Sequence, residues 1–337
     1  MPNKILVIQT AFIGDVVLAT AIIEKLHAHY PDAQLDFLVR KGNEGLLKNH
    51  PFVHVLIWNK KERKLYNLFR LWRSIVRSRY DIVINIQRYA ATGFLTGLSF
   101  AKKRIGFDKN PLSFLFTDSI PHSFEEGVHE VARNNRLIES LTDPDPVRPR
   151  LYPAPADNAA VESYKKGPYI CVAPASVWFT KQYAAEKWIE FVDRLPNDLI
   201  IYMLGGKEDA ELCKFIQSKT TNTSITDLSG KLNFLQSISL MRDAKMNYVN
   251  DSAPMHFASS VNAPIAVVYC STVPAFGYGP LSDTSHIIEI KEPLYCRPCG
   301  LHGHRKCPED HFRCAMDIEV EQLLAPLALT FSSRAEA

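Results

Sequence analysis

KILVIQTAFIGD, residues 4–15, is an apolar run that passes into a short turn and then into the start of a helix. Residues Lys4–Gln9 are almost continuously apolar, which is the pattern of a strand buried on both faces of a parallel sheet. Gly14 permits a tight turn, and Asp15 opens a helix that we predict to end near His29, before Pro31. A strand, a turn and a helix in this order begin a βαβ fold.

The same alternation continues on both sides of a proline-rich segment, 143–155, which holds five prolines and is the predicted linker. We therefore predict two Rossmann-like domains, 1–150 and 151–337, facing each other across a cleft. In the first domain we predict further elements at Leu35–Val39, Glu44–Lys48, His54–Trp58, Leu65–Ser78 and Asp81–Ile86. In the second we predict strands at Tyr169–Ala173, Leu199–Leu204, Tyr248–Asn250 and Ile265–Tyr269, and helices at Ala184–Arg194, Glu208–Gln217, Leu232–Arg242 and Pro254–Ser260.

Length and composition narrow the class of protein. A chain of 337 residues suits two domains, and 46% apolar with 22% charged residues is ordinary for a globular protein. A net charge of +3 gives no reason to expect a nucleic-acid partner. We find neither a signal-peptide layout nor an apolar run long enough to span a bilayer, so a cytoplasmic protein is expected.

Three segments carry candidate chemistry, and each also has a structural interpretation. Asp15 is either a carboxylate that stabilises the helix start or a general base at the predicted cleft. In residues 173–183, Ser176, Thr180 and Lys181 offer hydroxyls and a cation suited to a diphosphate, although Lys181 could equally be a solvated loop residue. There is no Walker A spacing here, and no G-x-G-x-x-G at the first turn, which disfavours a dinucleotide dehydrogenase.

The third segment is Val249–Ser259, where a strand ends and a capped helix begins. Its helix start suits an anion, because the N–H groups of a first helical turn have no partners within the helix. Pro254 fits this turn because proline has no N–H. A single histidine such as His256 is more often a core residue, but Asp251 and Ser252 beside it favour a site.

Taken in order, these segments resemble the family of ADP-heptose:lipopolysaccharide heptosyltransferases. The resemblance rests on Gly14-Asp15, on Lys181 ahead of Trp188, and on the run Asp251-Ser252-Ala253-Pro254-Met255-His256. It extends from about residue 4 to about residue 317 through Asp81–Gln87, Lys103–Phe107, Leu228–Lys231, Thr272–Pro274 and Gly279-Pro280. No single motif is specific, but the ordered set is.

The resemblance implies a GT-B architecture, with an acceptor-side first domain and a donor-side second domain, and an inverting, metal-independent transfer of a heptose or related sugar to a lipopolysaccharide-type acceptor. It implies that Asp15 is the catalytic base and that Lys181 stabilises the leaving diphosphate. The residues it implies for donor binding are Ser176, Thr180, Glu208, Asp209, Asp251, Ser252, Met255 and His256. The usual glycine of the donor loop is Ala253 here, which would be strained if that position required a positive φ.

A basic segment, 60–79, has eight basic residues and one acid interleaved with apolar residues at helical spacing. It is either a solvated surface helix or a contact with anionic lipid or with a phosphorylated acceptor. We predict Arg63, Lys64 and Arg88 as acceptor-binding residues and a peripheral contact with the cytoplasmic face of the inner membrane.

Four cysteines cluster near the C-terminus, at Cys296, Cys299, Cys307 and Cys314. They are either reduced thiols that stabilise a loop or ligands of a structural zinc; no cofactor is expected for transfer itself. Two alternatives to a heptosyltransferase remain at this point: a family member with another nucleotide sugar or acceptor, and a nucleotide-binding relative without turnover.

Overall fold

The computed structural model describes residues 1–332, which form two compact units, Met1–Tyr152 and the residues from Pro153 onward. The last residues of the predicted second domain, 333–337, lie outside the described residues. Both units are α/β, as predicted.

The first unit is built on one six-stranded parallel sheet. Its strands are β1 (Lys4–Ile8), β2 (Gln34–Arg40), β3 (Val53–Trp58), β4 (Ile82–Asn85), β5 (Lys103–Phe107) and β6 (Asp118–Ile120). They lie in the order β3-β2-β1-β4-β5-β6, the doubly wound order in which the chain returns to the centre after β3. The helices are α1 (Ile13–His29), α2 (Lys64–Ser78), α3 (Ala90–Gly97) and α4 (Glu130–Asn135).

The second unit repeats this topology. Its strands are β7 (Tyr169–Ala173), β8 (Ile200–Met203), β9 (Ile225–Asp227), β10 (Asn247–Asn250), β11 (Ile265–Tyr269) and β12 (Ser285–Glu289), in the order β12-β11-β10-β7-β8-β9. Its helices are α5 (Pro155–Val161), α6 (Ala185–Asp193), α7 (Ala210–Lys219), α8 (Phe234–Arg242), α9 (Ala253–Ser260), α10 (Arg313–Met316) and α11 (Val320–Ser332).

The central strands of both sheets are buried. All five residues of β7 and all but the first of β1 are buried, so helices cover both faces of each sheet. In the second unit the core includes Trp188, which is fully buried against Tyr183 and Phe191. Polar side chains therefore collect where the strands end.

The first residues of the predicted linker are bonded to α1 of the first unit. The Lys25 side chain of α1 is buried, and its ammonium donates to the carbonyl and carboxylate of Asp143, each at 2.6 Å, and to the carbonyl of Asp145 at 2.5 Å. His29 Nε2 lies 3.1 Å from the other Asp143 oxygen. Asp143-Pro144-Asp145 thus has a structural role at the start of the predicted linker.

The predicted elements are present, with shifts of a few residues. Glu44–Leu47 and Lys207–Asp209 are 3₁₀ turns rather than parts of longer helices. The elements that the sequence reading left unassigned are β5, β6, β9, β12, α3, α4, α5, α10 and α11. Within residues 1–332 no helix is both long enough and apolar enough to cross a membrane.

Candidate active site

Asp15 lies at the carboxyl edge of the first sheet, in the first turn of α1. This helix begins directly after the β1 turn, and Phe12 is its N-cap residue. The Asp15 Oδ2 atom accepts a hydrogen bond from the Phe12 backbone N–H at 3.1 Å. The carboxylate therefore satisfies one of the free N–H groups of the helix start, as the structural interpretation expected, and still remains half-buried at the edge.

The surroundings of Asp15 favour its protonated form. Burial, together with the negative charge of Glu130, raises the pKa of Asp15 to about 6, against the opposing effects of the Phe12 N–H and Arg40. A carboxyl with this pKa is largely ionised at neutral pH and is a stronger base than an ordinary aspartate. General-base catalysis works best when the pKa lies near the working pH.

Lys60 lies beside Thr10, just after the end of β1. From the sequence it was noted only as part of the basic segment 60–79. Its ammonium donates to the Thr10 carbonyl at 3.0 Å and the Thr10 hydroxyl at 2.8 Å, and lies 4.6 Å from the centre of the Trp58 ring. Burial, then Arg40 and Lys64, lower the pKa of Lys60 to about 8. The signal was its position: it follows β3 by two residues, at the sheet edge where β1 also ends.

The predicted acceptor-binding residues occupy two positions in the first unit. Arg63 and Lys64 are exposed at the start of α2, and Arg63 has a left-handed backbone with φ 41°. A cavity of about 900 Å³ between β3 and α2 is lined in part by Trp58, Arg63 and Tyr66. Arg88 is exposed just after β4 and helps to lower the pKa of His122, whose burial is the larger cause.

In the second unit, Lys181 and Asp251 form an ion pair with Nζ and Oδ2 2.6 Å apart. The Thr272 hydroxyl donates to the same Asp251 oxygen at 2.6 Å. Both side chains of the pair are mostly buried, so the ammonium is held in one place at the carboxyl edge of the sheet. Thr272 was not among the predicted site residues, although Thr272-Val273-Pro274 had been noted as a family-like segment.

Asn250 fixes the loop that carries Lys181. Its fully buried side chain donates to the Pro174 carbonyl at 2.6 Å and accepts from the Tyr183 backbone N–H at 2.9 Å. The end of β10 therefore holds both flanks of the loop between β7 and α6. This arrangement brings Lys181 to Asp251, which is the residue after Asn250.

The start of α9 lies beside this pair. Ser252 is its N-cap residue and is half-buried, whereas Met255 is fully buried with its sulfur 3.3 Å from the Tyr269 hydroxyl. His256 is also buried, and donor binding by Met255 and His256 remains a prediction. Ala253 does not have a positive φ and begins the helix, so the expected strain at this position is absent.

The other predicted donor-binding residues lie in two segments, one with Ser176 and Thr180 and one with Glu208 and Asp209, and their exposure differs. Ser176 is half-buried and its carbonyl accepts from the Gln182 side chain at 2.6 Å, while Thr180 is buried and turned into the protein. Glu208 is exposed. Asp209 caps the following turn by accepting from Gly206 N–H at 2.7 Å, and burial followed by the charge of Glu208 raises its pKa. Glu208 is therefore the more accessible of these two acids.

The cysteine cluster does not form a metal site in the described residues. All of its thiols are free, and the Cys296 sulfur lies 3.9 Å from Nε2 of His311. Across residues 1–332, no group of three or more histidine, cysteine, aspartate or glutamate side chains is arranged to hold a metal ion. The predicted zinc at Cys296, Cys299, Cys307 and Cys314 thus finds no support here.

Comparison with known proteins identifies the family. The model of glycosyltransferase family 9 (heptosyltransferase) matches residues 68–310. The chain belongs to glycosyltransferase family 9. It is 25% identical to lipopolysaccharide heptosyltransferase 3 of Escherichia coli over 77% of this chain and 82% of that protein. It is 23% identical to lipooligosaccharide heptosyltransferase 2 of Haemophilus influenzae over 86% of this chain and 89% of that one. The chain is thus an enzyme, a glycosyltransferase of the heptosyltransferase type.

Solved structures of bacterial glycosyltransferases share the fold. E. coli ADP-heptose lipopolysaccharide heptosyltransferase II superposes with a TM-score of 0.82 at 20% identity, over 99% of this chain and all of that one. A family 9 glycosyltransferase from Veillonella parvula gives a TM-score of 0.82 at 19% identity, over 98% of each chain. The iron-containing dodecameric glycosyltransferase TibC from enterotoxigenic E. coli gives 0.63 at 15%, over all of this chain and 80% of that one. The predicted GT-B fold class is confirmed.

The raised pKa of Asp15 predicts a pH-dependent cost to stability. Because its pKa rises from 3.8 to about 6 on folding, the folded state binds the proton more tightly than the unfolded chain. The stability that the protonated Asp15 carboxyl gives the folded state is present at low pH and is lost as the pH rises through 6. Relative to an Asp15→Asn variant, the parent should lose at most about 3 kcal/mol of unfolding free energy between pH 4 and pH 8. Urea unfolding at several pH values measures this.

Asp32→Asn, on an exposed turn after α1, is the matched control for exchanging a carboxylate for an amide. If Asp15→Asn and the parent differ by the same amount at every pH, the Asp15 pKa is not raised.

Proposed function

We propose that this family 9 enzyme transfers a heptose, or a closely related sugar, from an ADP-linked donor to the saccharide core of a lipopolysaccharide-type acceptor, with inversion and without a metal ion. The relatives named above support the sugar and the acceptor, since their names specify lipopolysaccharide, lipooligosaccharide and ADP-heptose. The observation that carries the proposal is Asp15, a half-buried carboxyl at a sheet edge with a pKa of about 6.

Asp15 is the proposed general base. An acceptor hydroxyl becomes a competent nucleophile when a carboxylate removes its proton as it attacks the anomeric carbon. Attack from the face opposite the nucleotide inverts the configuration at that carbon. In the first unit, Arg40 supplies positive charge near Asp15.

Lys181 is the proposed partner of the leaving diphosphate, in the place that a divalent cation takes in other transferases. Its ammonium is already fixed by Asp251, and the start of α9, the positive end of that helix, follows directly after Asp251 in the chain. Positive charge held in advance stabilises the charge that develops on the departing phosphate. Asp251 and Ser252 are the proposed contacts to the donor sugar, and the exposed Glu208 is the proposed contact to the ribose.

Metal-dependent transferases often hold their metal with an Asp-x-Asp sequence. The single one in this chain, Asp143-Pro144-Asp145, has a structural role instead, so metal independence is part of the proposal. Asp143 is paired with Lys25 and His29 in the first unit. The iron in TibC belongs to that protein, so chelation is included in the test below.

The nucleotide test measures the thermal midpoint of the protein against ADP, UDP, GDP and CMP, each with and without EDTA. We expect selective stabilisation by ADP, unchanged by EDTA. At a hundred times its dissociation constant a ligand adds about 2.7 kcal/mol, which shifts the midpoint by several degrees. A preference for another nucleotide would point to a different sugar donor in the same family, and loss of the shift in EDTA would contradict metal independence.

Replacement of Asp15 by Asn should remove transfer and leave nucleotide binding intact. The loss of a positioned general base is expected to cost about 10²- to 10⁴-fold in kcat. In the parent, kcat/KM should fall about tenfold for each pH unit below about pH 6, because only the ionised carboxylate accepts a proton. ADP release from ADP-heptose in the presence of lipopolysaccharide core acceptor measures both effects.

Asp32→Asn again serves as the control and should retain parental kcat. A normal ADP affinity with normal turnover in Asp15→Asn would remove Asp15 from the mechanism, and a loss of ADP binding would make it a donor-site residue instead.

A lipid-linked acceptor requires the enzyme to work at a membrane, and one helix of the first unit is suited to that contact. The inner side of α2 packs on the core through Leu68, Leu71, Trp72 and Ile75. Leu65 and Phe69 on its outer side are 78% and 51% exposed, next to exposed Arg70, Arg73 and Arg77. We call Leu65, Phe69, Arg70, Arg73 and Arg77 the α2 surface. Apolar side chains beside basic ones suit the boundary between anionic headgroups and acyl chains.

The α2 surface predicts selective binding to anionic bilayers, on the cytoplasmic face of the inner membrane in the cell. Sedimentation with vesicles of phosphatidylcholine and phosphatidylglycerol should carry the protein down, whereas pure phosphatidylcholine should not. Removing two arginines with Arg70→Gln and Arg73→Gln should weaken binding by about 25-fold, since each basic residue near the surface contributes about 1 kcal/mol.

Helix α7 of the second unit provides a matched control because Lys214 and Lys219 are exposed there, next to an exposed Phe215. The double change Lys214→Gln and Lys219→Gln removes the same charge and should leave vesicle binding unchanged. Equal losses in the two double variants would mean that net charge, and not the α2 surface, drives the association.

A further inference from the structure

The C-terminal segment 297–304, which we call the strap, lies against the loop that carries Lys181. It begins at Arg297, whose guanidinium donates to the carbonyls of Cys270 at 2.7 Å and Thr272 at 2.8 Å and to the Glu289 carboxylate at 2.6 Å. The Cys299 backbone N–H then donates to the Ser271 carbonyl at 2.8 Å. The strap is therefore fixed to the residues that follow β11.

The far end of the strap is joined to Thr180. The Thr180 N–H donates to the His304 carbonyl at 3.1 Å, and the His304 N–H donates to the Thr180 hydroxyl at 2.7 Å. The Ser271 hydroxyl also donates to the Thr180 hydroxyl, at 3.0 Å. The Thr180 hydroxyl can itself donate to the His304 carbonyl at 3.3 Å, so its one donor and both acceptor positions are filled.

Close packing accompanies these bonds at Gly303. A Cβ atom at this position would lie 2.7 Å from the Thr180 hydroxyl and 3.1 Å from Cγ of Lys181, and the Gly303 φ of +71° disfavours any other residue. Gly303 thus lets the strap backbone touch the Lys181 side chain itself. Gly300 provides a contrast, because it has a φ of +69° and no atom within 4 Å of an added Cβ.

We propose that Thr180 and Gly303 are positioning residues, which act through the strap to hold the Lys181 ammonium where a diphosphate binds. Thr180 is buried, and its hydroxyl bonds to the strap. In this proposal Thr180 supports Lys181, whereas the sequence had predicted that Thr180 contacts the donor directly. This inference rests on the proposed function, in which Lys181 binds the diphosphate. It assigns a role in phosphate recognition to a segment that includes Cys299, one of the four cysteines considered as zinc ligands.

The test compares the affinities of ADP and AMP by isothermal titration, with inorganic pyrophosphate as a probe free of any base. Lys181→Ala sets the scale: it should weaken ADP and pyrophosphate binding and leave AMP binding nearly unchanged. Thr180→Val keeps the shape and removes the hydroxyl that bonds to the strap. It should weaken ADP binding by about tenfold, the loss expected when the Lys181 ammonium occupies the binding position about a tenth of the time. Thr180→Ser should restore parental affinity.

Gly303→Ala should act in the same direction as Thr180→Val, and Gly300→Ala is its control, since it meets the same backbone strain without the contact. Thermal midpoints without ligand report whether each variant is folded, and the Thr180 pair keeps the test open if Gly303→Ala is not. Equal losses for ADP and AMP, equal effects of Gly303→Ala and Gly300→Ala, or no loss in Thr180→Val would overturn the positioning role. Unchanged ADP and pyrophosphate binding in Lys181→Ala would instead overturn the proposed function.

Discussion

A parallel strand that is buried on both faces places most of its polar groups where it ends, and both units are organised by this constraint. In the first unit, the side chains of Gln9 and Gln87 bond to each other beyond the ends of β1 and β4. In the second, the Asn250 side chain spans from the end of β10 to the residues after β7. These are the positions where the strand order reverses, and open α/β sheets bind their ligands there.

The two edges use this constraint in opposite ways. Asp15 is partly removed from water beside another acid, and its pKa rises. Asp251 is equally removed from water but meets an ammonium and a hydroxyl, so the charge of each partner is compensated. The first arrangement produces a carboxylate that can accept a proton, and the second produces a cation held at a fixed point. A sugar transfer without a metal ion needs both.

The sequence predicted the elements with long apolar or amphipathic patterns and missed those without them. Strand β5 begins with Lys103 and Arg104, and β12 is a partly exposed edge strand, so neither has a buried pattern. Strand β9 has only three residues. Asp15 and Lys181 were predictable because local motifs place them after strand ends. Lys60 and Thr272 were not, since their partners Thr10 and Asp251 are 50 and 21 residues away in the chain.

The strap shows most clearly what a pattern of residue types cannot reveal. Its Cys299 belongs to the cluster considered as zinc ligands, yet the contacts that join the strap to the Lys181 loop come mainly from backbone groups and a glycine. Backbone hydrogen bonds leave no trace in residue identity, and Gly303 is informative only once its φ and neighbours are known. Thr180 is adjacent to Lys181 in the chain, and Gly303 packs close to the Lys181 side chain, so a shift of the strap is passed on to Lys181 by both routes. A segment more than a hundred residues from Lys181 in sequence can thereby control where the phosphate charge is met.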